Sequence, residues 1–411
     1  MALSPEQDNA AIKIRDWLSS PEQVFMLGGF AGTGKTYLLG HVIDSLGTHN
    51  GHEILCCAPT GKAASVLMSK LNNKLVSTIH ALIYAPLGED TAKLERYIEE
   101  LVKDPDNKEL KDKIDDEKKR LAKKPVGFQL SEKEKVLPDQ LVIIDEASMV
   151  SNEMFNDLMA TGAKLMFVGD PGQLPPVGDG GWFLKADYDI VLQEVQRQAL
   201  ESPIIRLSMD VRNGTMRRSN YQYPDCRISN KTEVSKKDWL DADQVITGTN
   251  ASRRRINRFF RKQLGHIEKG ELPQRSEKLI CLKNSKPIKG SDFRYINGVQ
   301  AVVMRPAEYD NKGDLRMSVF YESKMLEDIA VYDYHFDQHY KSERPIDPWF
   351  MRKDLKEFDY AYAITVHKSQ GSEWNNVIIA DDKMQTNNRE FRKRWLYTAI
   401  TRAKENLIWS E

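Results

Sequence analysis

The stretch Gly29-Phe30-Ala31-Gly32-Thr33-Gly34-Lys35-Thr36 constrains this chain more than any other. It follows an apolar run, Val24-Phe25-Met26-Leu27, and leads into Tyr37-Leu38-Leu39-Gly40-His41-Val42-Ile43, which reads as a helix. A strand that turns through glycines into a helix leaves backbone N–H groups pointing into one loop, where they close around phosphate oxygens. The spacing Gly-x4-Gly-Lys-Thr adds a cation at Lys35 and, at Thr36, a hydroxyl that reaches Mg2+. Gly29, Ala31, Gly32, Thr33, Gly34, Lys35, Thr36 and Tyr37 are therefore expected to hold a nucleotide. Such a loop also demands a parallel sheet behind it.

Further strand candidates supply that sheet. Glu53-Ile54-Leu55-Cys56-Cys57-Ala58, Leu141-Val142-Ile143-Ile144 and Lys164-Leu165-Met166-Phe167-Val168 are continuous rather than alternating apolar runs. That pattern belongs to parallel strands covered on both faces. The run at 141–144 ends in Asp145-Glu146. A carboxylate there can hold Mg2+ with Thr36, and Glu146 can orient an attacking water. Gln7 lies some 22 residues before the loop, placed for its amide to pair with an adenine edge.

With 411 residues, the chain has room for more than one such unit. Between Ala85 and Asp139, Leu94, Ile98 and Leu101, then Leu110, Ile114 and Leu121, recur at helical spacing in a charged background. This predicts a helical hairpin, followed by a strand at Val126-Gly127-Phe128-Gln129-Leu130 that pairs with the segment around Val136. A second α/β region begins near Gln196, with strands at Gln244-Val245-Ile246-Thr247, Asn376-Val377-Ile378-Ile379-Ala380 and Asn406-Leu407-Ile408-Trp409. Within it, 286–348 turns all-β around Asn297-Gly298 and Asn311-Lys312-Gly313, which predicts a small barrel.

Sixty Lys and Arg balance sixty Asp and Glu over the chain, but 196–262 carries 15 basic and 7 acidic residues, an excess of eight. A phosphate-binding face fits there, with Arg253, Arg254, Arg255, Asn257 and Arg258 on one helix; a solvated surface fits equally. The four cysteines, Cys56, Cys57, Cys226 and Cys281, have no metal-ligand spacing, so reduced thiols and no zinc are expected. No apolar stretch reaches the ~20 residues of a membrane span. A cytoplasmic protein with no membrane partner is the expectation.

The ordered set Gln7, Gly29 to Thr36, Ala58-Pro59-Thr60-Gly61-Lys62-Ala63-Ala64, Ser77-Thr78-Ile79-His80, Asp145-Glu146-Ala147-Ser148-Met149, Gly169-Asp170-Pro171-Gly172-Gln173-Leu174-Pro175-Pro176-Val177, Val366-His367-Lys368-Ser369-Gln370-Gly371 and Leu396-Tyr397-Thr398-Ala399-Ile400-Thr401-Arg402-Ala403 resembles the motifs of superfamily 1 helicases, most closely the RecD and Dda branch. The resemblance implies an α/β fold of two RecA-like P-loop domains, with an α/β pin-bearing insertion and a small SH3-like β-barrel insertion. Domain 1A would comprise 1–84 and 139–195, insertion 1B 85–138, domain 2A 196–285 and 349–411, and insertion 2B 286–348.

It further implies an ATP- and Mg2+-dependent enzyme that moves 5′ to 3′ on single-stranded DNA and unwinds forked duplex DNA, acting as a monomer alongside replication or recombination proteins. Gln173 would sense the γ-phosphate, and Arg197 and Arg402 would reach it from the second domain. Gly371 and Glu373 would add nucleotide contacts. Thr60, Lys62, His80, Thr365, His367 and Lys368 would line the DNA groove, with Phe128, the only Phe between Ala85 and Asp139, as the pin. The competing readings are an RNA-dependent ATPase or helicase and a P-loop switch that does not translocate.

Overall fold

The protein is described from a computed structural model covering residues 3–71, 75–86, 92–104, 107–122, 128–131, 136–178, 181–195, 201–285, 294–337, 352, 354–382 and 388–411. The glycine loop follows the strand Val24–Gly29, which sits inside a six-stranded sheet. Across the sheet the order is Ile190–Leu192, Val24–Gly29, Lys164–Gly169, Leu141–Ile144, Leu55–Ala58 and Val76–Thr78, every pair parallel. Alternate side chains explain the uninterrupted apolar runs. Phe25, Leu27, Ile143, Met166 and Val168 pack with the helices Pro5–Leu18 and Lys35–Leu46, while Met26, Val142, Ile144, Leu165 and Phe167 pack on the other face with Val150, Leu158 and Phe183. Both faces are covered, so both must be apolar.

The second sheet has five strands, Cys226–Ser229, Ala403–Ser410, Trp374–Ala380, Gln244–Thr247 and Ala363–Thr365, again all parallel. Helices Pro203–Asn213 and Arg389–Ile400 cover one face around Trp395, and Asn250–Gln263 covers the other through Phe260. Sequence reasoning found the three strands at 244–247, 376–380 and 406–409. It missed the edge strands Cys226–Ser229 and Ala363–Thr365, which are only four and three residues long and hold no continuous apolar run of that length.

A closed barrel joins this unit, built from Lys278–Cys281, Gln300–Tyr309, Leu315–Tyr321, Lys324–Tyr332 and Lys356–Tyr360. Its first and last strands therefore come from outside 286–348. They continue directly from the second sheet's chain, so composition does not change where the barrel begins. Arg261 and Glu277 lock the junction: both side chains are wholly buried, with Arg261 Nε 2.7 Å from Glu277 Oε1.

The insertion between Thr78 and Leu141 contains the helices Ala92–Lys103 and Lys108–Ala122, as the spacing predicted. Phe128–Leu130 is a strand, but its partner is Tyr84–Pro86 rather than the segment at Val136. Val136 is buried instead in the first unit, beside Ile79, Leu82 and Ile83. A nonlocal pairing that closes the base of the insertion thus replaces the local hairpin expected from sequence. The side chain of Phe128 lies outside the described residues.

Candidate nucleotide site and nucleic-acid groove

Two left-handed glycines, Gly32 and Gly34, each with φ 79°, shape the phosphate loop. Gly34 is the N-cap of the helix Lys35–Leu46, so that helix directs its first-turn N–H groups into the loop. Gly29 must lack a side chain, because a Cβ there would stand 2.8 Å from Lys35 Cγ. The lysine folds across the loop, with Nζ donating to Gly29 O at 2.6 Å and Phe30 O at 3.2 Å. Tyr37 is exposed one turn into the helix.

Gln7 is 2% exposed and braces this loop. Its Oε1 accepts from Ser4 N at 3.0 Å, and its Nε2 donates to Thr33 O at 3.1 Å. Both ends of the amide that sequence reading offered to adenine are therefore engaged by the chain, which makes Gln7 a support for the loop.

Asp145 and Glu146 emerge at the end of Leu141–Ile144, the second strand over from the loop strand. Asp145 Oδ1 accepts from Glu146 N at 2.9 Å. Glu146 adopts a left-handed conformation, φ 53° and ψ 39°, which is uncommon without glycine and is held by the short helix Ala147–Met149 that it caps. Burial, and then the charge of Asp145, raise the Glu146 carboxyl to about 6, against the pull of Arg402 and Lys35. Burial likewise raises Asp145. A hydroxyl at Thr36 and one carboxylate at Asp145, completed by phosphate oxygens and water, is the hard-oxygen donor set that suits Mg2+.

Arg402 follows the helix Arg389–Ile400 of the second unit. It is buried, and its guanidinium donates to Thr398 O at 3.0 Å, Ser372 O at 3.2 Å and Thr401 Oγ1 at 3.1 Å. Its charge pulls the Glu146 carboxyl down, so it lies within electrostatic reach of the first unit's carboxylates. Gln173 is buried at the same boundary, with its Oε1 3.5 Å from Gln370 Nε2. Arg197 lies outside the described residues. Glu373 is half-exposed and 3.8 Å from Lys404, whereas Gly371, with φ 74°, packs on Ala63.

The candidate groove residues come from both units. Thr60 Oγ1 accepts from Ala63 N at 3.2 Å at the start of the helix Gly61–Leu71, and Thr365 is the N-cap of Val366–Ser369. Burial lowers His80 and His367, so both are neutral at pH 7; His80 has its ring 5.1 Å from that of Tyr84. Lys368 donates to Asn297 Oδ1, which ties this candidate groove residue to the barrel turn. On the basic helix, Arg253 pairs with Asp359, and Asn257 is wholly buried with its amide bonded to Tyr360 O and Ala363 O. The sequence-predicted phosphate face is thereby reduced, because these two side chains fasten the helix to the barrel and sheet.

Asn311-Lys312-Gly313-Asp314 matches the Asn-Lys-x-Asp pattern associated with guanine reading. Here it forms the turn between the barrel strands Gln300–Tyr309 and Leu315–Tyr321, closed by Asp310 Oδ1 accepting from Lys312 N at 2.8 Å and Asp314 N at 3.0 Å. The pattern is a hairpin turn, separate from the phosphate loop. Sequence reasoning also missed Asp170, Gln370, Arg394, Tyr397 and Thr398 as individuals, although each lies inside or beside a quoted motif. Their roles depend on contacts between units more than 190 residues apart.

Fold and site together define a phosphate-loop nucleotide-binding core built from two parallel-sheet units. The family model for an AAA domain matches residues 2–226, more than half the chain, and that for a UvrD-like helicase C-terminal domain matches 360–408. The chain belongs to the superfamily 1 helicases of the RecD, Dda and Pif1 type. It is 26% identical over 435 residues to the ATP-dependent RecD2 DNA helicase of Deinococcus radiodurans, covering 99% of this chain and 48% of that protein. It is 24% identical over 480 residues to the ATP-dependent DNA helicase dda of Enterobacteria phage T4, covering 99% of each. A protein of Methanocaldococcus jannaschii, MJ1519, is 27% identical over 467 residues, with 36% of its length covered. The chain thus spans half or less of two of these relatives. Among solved structures, Bacteroides Pif1 bound to single-stranded DNA matches with a TM-score of 0.54 at 18% identity, covering 100% of this chain and 92% of that one. Pif1 of Candida albicans matches with a TM-score of 0.53 at 18% identity, covering 100% and 95%. Among the described residues, no helix is long and apolar enough to cross a membrane.

Proposed function

We propose that this chain is an ATP-dependent DNA helicase that translocates 5′ to 3′ on single-stranded DNA and opens forked duplexes as a monomer. The observation that carries this reading is the division of the site: Lys35, Asp145 and Glu146 stand on one sheet, and Arg402, whose charge acts on Glu146, stands on the other. A nucleotide in that boundary would tie the two units together. Residues 1–84 and 139–195 form the nucleotide-holding unit, with 85–138 inserted, and the second sheet with its helices forms its partner, into which the barrel that begins at Lys278–Cys281 and closes at Lys356–Tyr360 is inserted.

The phosphate loop and Lys35 bind and orient the triphosphate, and Glu146 aligns the attacking water and takes its proton. Arg402 and Arg197 neutralise charge that develops on the transferred phosphoryl group. Mg2+, held by Thr36 and Asp145, neutralises phosphate charge when bound. Gln173 reports the state of the phosphate to the groove, where Thr60, Lys62, His80, Thr365, His367 and Lys368 grip the strand. Hydrolysis then alternates the grip of the two units. The names of the RecD2 and dda relatives, and single-stranded DNA on a Pif1 of the same fold, support DNA as the track.

The test is ATP turnover with matched DNA and RNA oligonucleotides, followed by unwinding of duplexes with a 5′ or a 3′ tail. Stimulation by DNA and unwinding from the 5′ tail are expected. Stimulation by RNA alone would favour the RNA reading, turnover indifferent to either would favour a switch, and unwinding only from 3′ tails would reverse the polarity.

A further inference from the structure

One helix of the second unit holds the first unit's site through three side chains. In Arg389–Ile400, Arg394 donates to Pro171 O and to Gln173 O, and Thr398 Oγ1 accepts from Leu174 N at 3.1 Å. Tyr397 goes further, reaching both the turn at 170–174 and the phosphate loop itself. Its hydroxyl accepts from Ala31 N at 2.8 Å and donates to Asp170 Oδ2 at 2.6 Å. Asp170 Oδ1 accepts from Gly172 N at 2.8 Å, so the carboxylate is also held from within its own turn. The ring lies so close to Gly172 that a Cβ there would meet Tyr397 Cε1 at 2.9 Å. Burial and the neighbouring Asp170 hold the phenol well above its usual range, so it keeps the proton it donates.

A second contact reaches the same loop. The Arg212 guanidinium, on the helix Pro203–Asn213, sits 3.7 Å from the ring centroid of Phe30, the residue before Ala31. Two consecutive loop residues are thus held by the opposite unit, one through its amide and one through its ring.

We propose that Tyr397 is a positioning residue for phosphoryl transfer, fixing the phosphate loop through the Ala31 amide only while the two units are closed. The proposal rests on the ATPase reading above and deepens it. Opening the boundary removes both bonds of the hydroxyl, and the loop loses its support from the second unit. Closing restores them, so loop geometry follows domain closure through a buried path in which each member polarises the next.

Tyr397→Phe keeps the ring against Gly172 and deletes only the hydroxyl, and Asp170→Asn attacks the other end of the path. The measurements are steady-state ATP turnover with saturating single-stranded DNA, and melting temperature. The expected result for each variant is a kcat about tenfold lower, KM for ATP changed less than about threefold, and a double variant no slower than the worse single one. Wild-type kcat in Tyr397→Phe, a loss confined to KM, or losses that multiply in the double variant would overturn the relay. If Tyr397→Phe melts early, Asp170→Asn still decides the kcat and KM outcome. Wild-type protein that shows no DNA-stimulated turnover would sink the ATPase reading itself, whereas stimulated wild type with an unaffected Tyr397→Phe would sink only the relay.

Discussion

Lys368 Nζ lies 3.2 Å from Asn297 Oδ1, joining a candidate groove residue of the second unit to the turn of the barrel. The same turn touches the first unit, where a Cβ on Gly61 would stand 2.3 Å from Ile296 Cγ2 and one on Gly298 3.5 Å from Lys62 Cβ. The turn is held firmly, with Ile296 N donating to Tyr321 OH at 2.6 Å and Asn297 N to Asn284 Oδ1 at 2.7 Å. Gly61→Ala should therefore overpack this contact. A β-branched side chain cannot swing its methyl aside cheaply, so the expected loss is about 1–3 kcal/mol of stability despite alanine's better helix propensity. Urea unfolding checks it, and Gly61→Ala with Ile296→Ala should recover part of the loss. Additive losses in the double variant would remove the steric explanation.

Lys35→Ala and Arg402→Ala should fail differently. In the proposed mechanism Lys35 contacts the phosphates in the bound state, so its loss should weaken nucleotide binding and abolish turnover while single-stranded DNA binding persists. Arg402 belongs to the opposite unit and, in the proposed mechanism, acts on charge that develops during transfer. Arg402→Ala should keep nucleotide affinity and lose about 10³-fold or more in kcat. Titration with a fluorescent nucleotide beside steady-state kinetics separates the two. An Arg402→Ala variant that lost only affinity would remove its assignment to the transition state.

The pH dependence follows from Glu146. Burial raises its carboxyl to about 6, and the carboxylate is the form that accepts a proton from water. As pH falls through about 6 the group becomes neutral, so kcat/KM for ATP should drop about tenfold per unit below that value and level off above it. Glu146→Gln should abolish most turnover at every pH. A wild-type profile flat from pH 5 to 8 would contradict the role.

Glu277→Gln tests the junction between the second sheet and the barrel. Arg261 also donates to the carbonyls of Gly270, Glu271 and Leu272, and its guanidinium lies 4.4 Å from the Tyr360 ring centroid. Neutralising its partner leaves a buried charge with hydrogen bonds but no counter-charge. Removing one member of such a pair costs about 3–5 kcal/mol, and the remaining carbonyls place this case at the lower end. Denaturant unfolding measures it; a loss below about 1 kcal/mol would show that the carbonyls alone satisfy Arg261.

The sequence by itself determined the parallel-sheet core, the phosphate loop and the acidic strand end, because each depends on neighbours within a few residues. Buried strands need apolar side chains on both faces, and a loop around phosphate needs glycines at set positions. The paired insertion helices and the barrel were legible for the same reason, through local periodicity and turn residues. Tertiary structure alone decided that Phe128–Leu130 pairs with Tyr84–Pro86, that Gln7 spends its amide on the loop, and that Asn257 is buried rather than displayed to phosphate. It alone joined Tyr397 to Ala31, 366 positions away in the chain. Such contacts join residues that are not neighbours in the chain, and the hydrogen bond that a polar side chain makes there is chosen by whichever partner packing brings within reach.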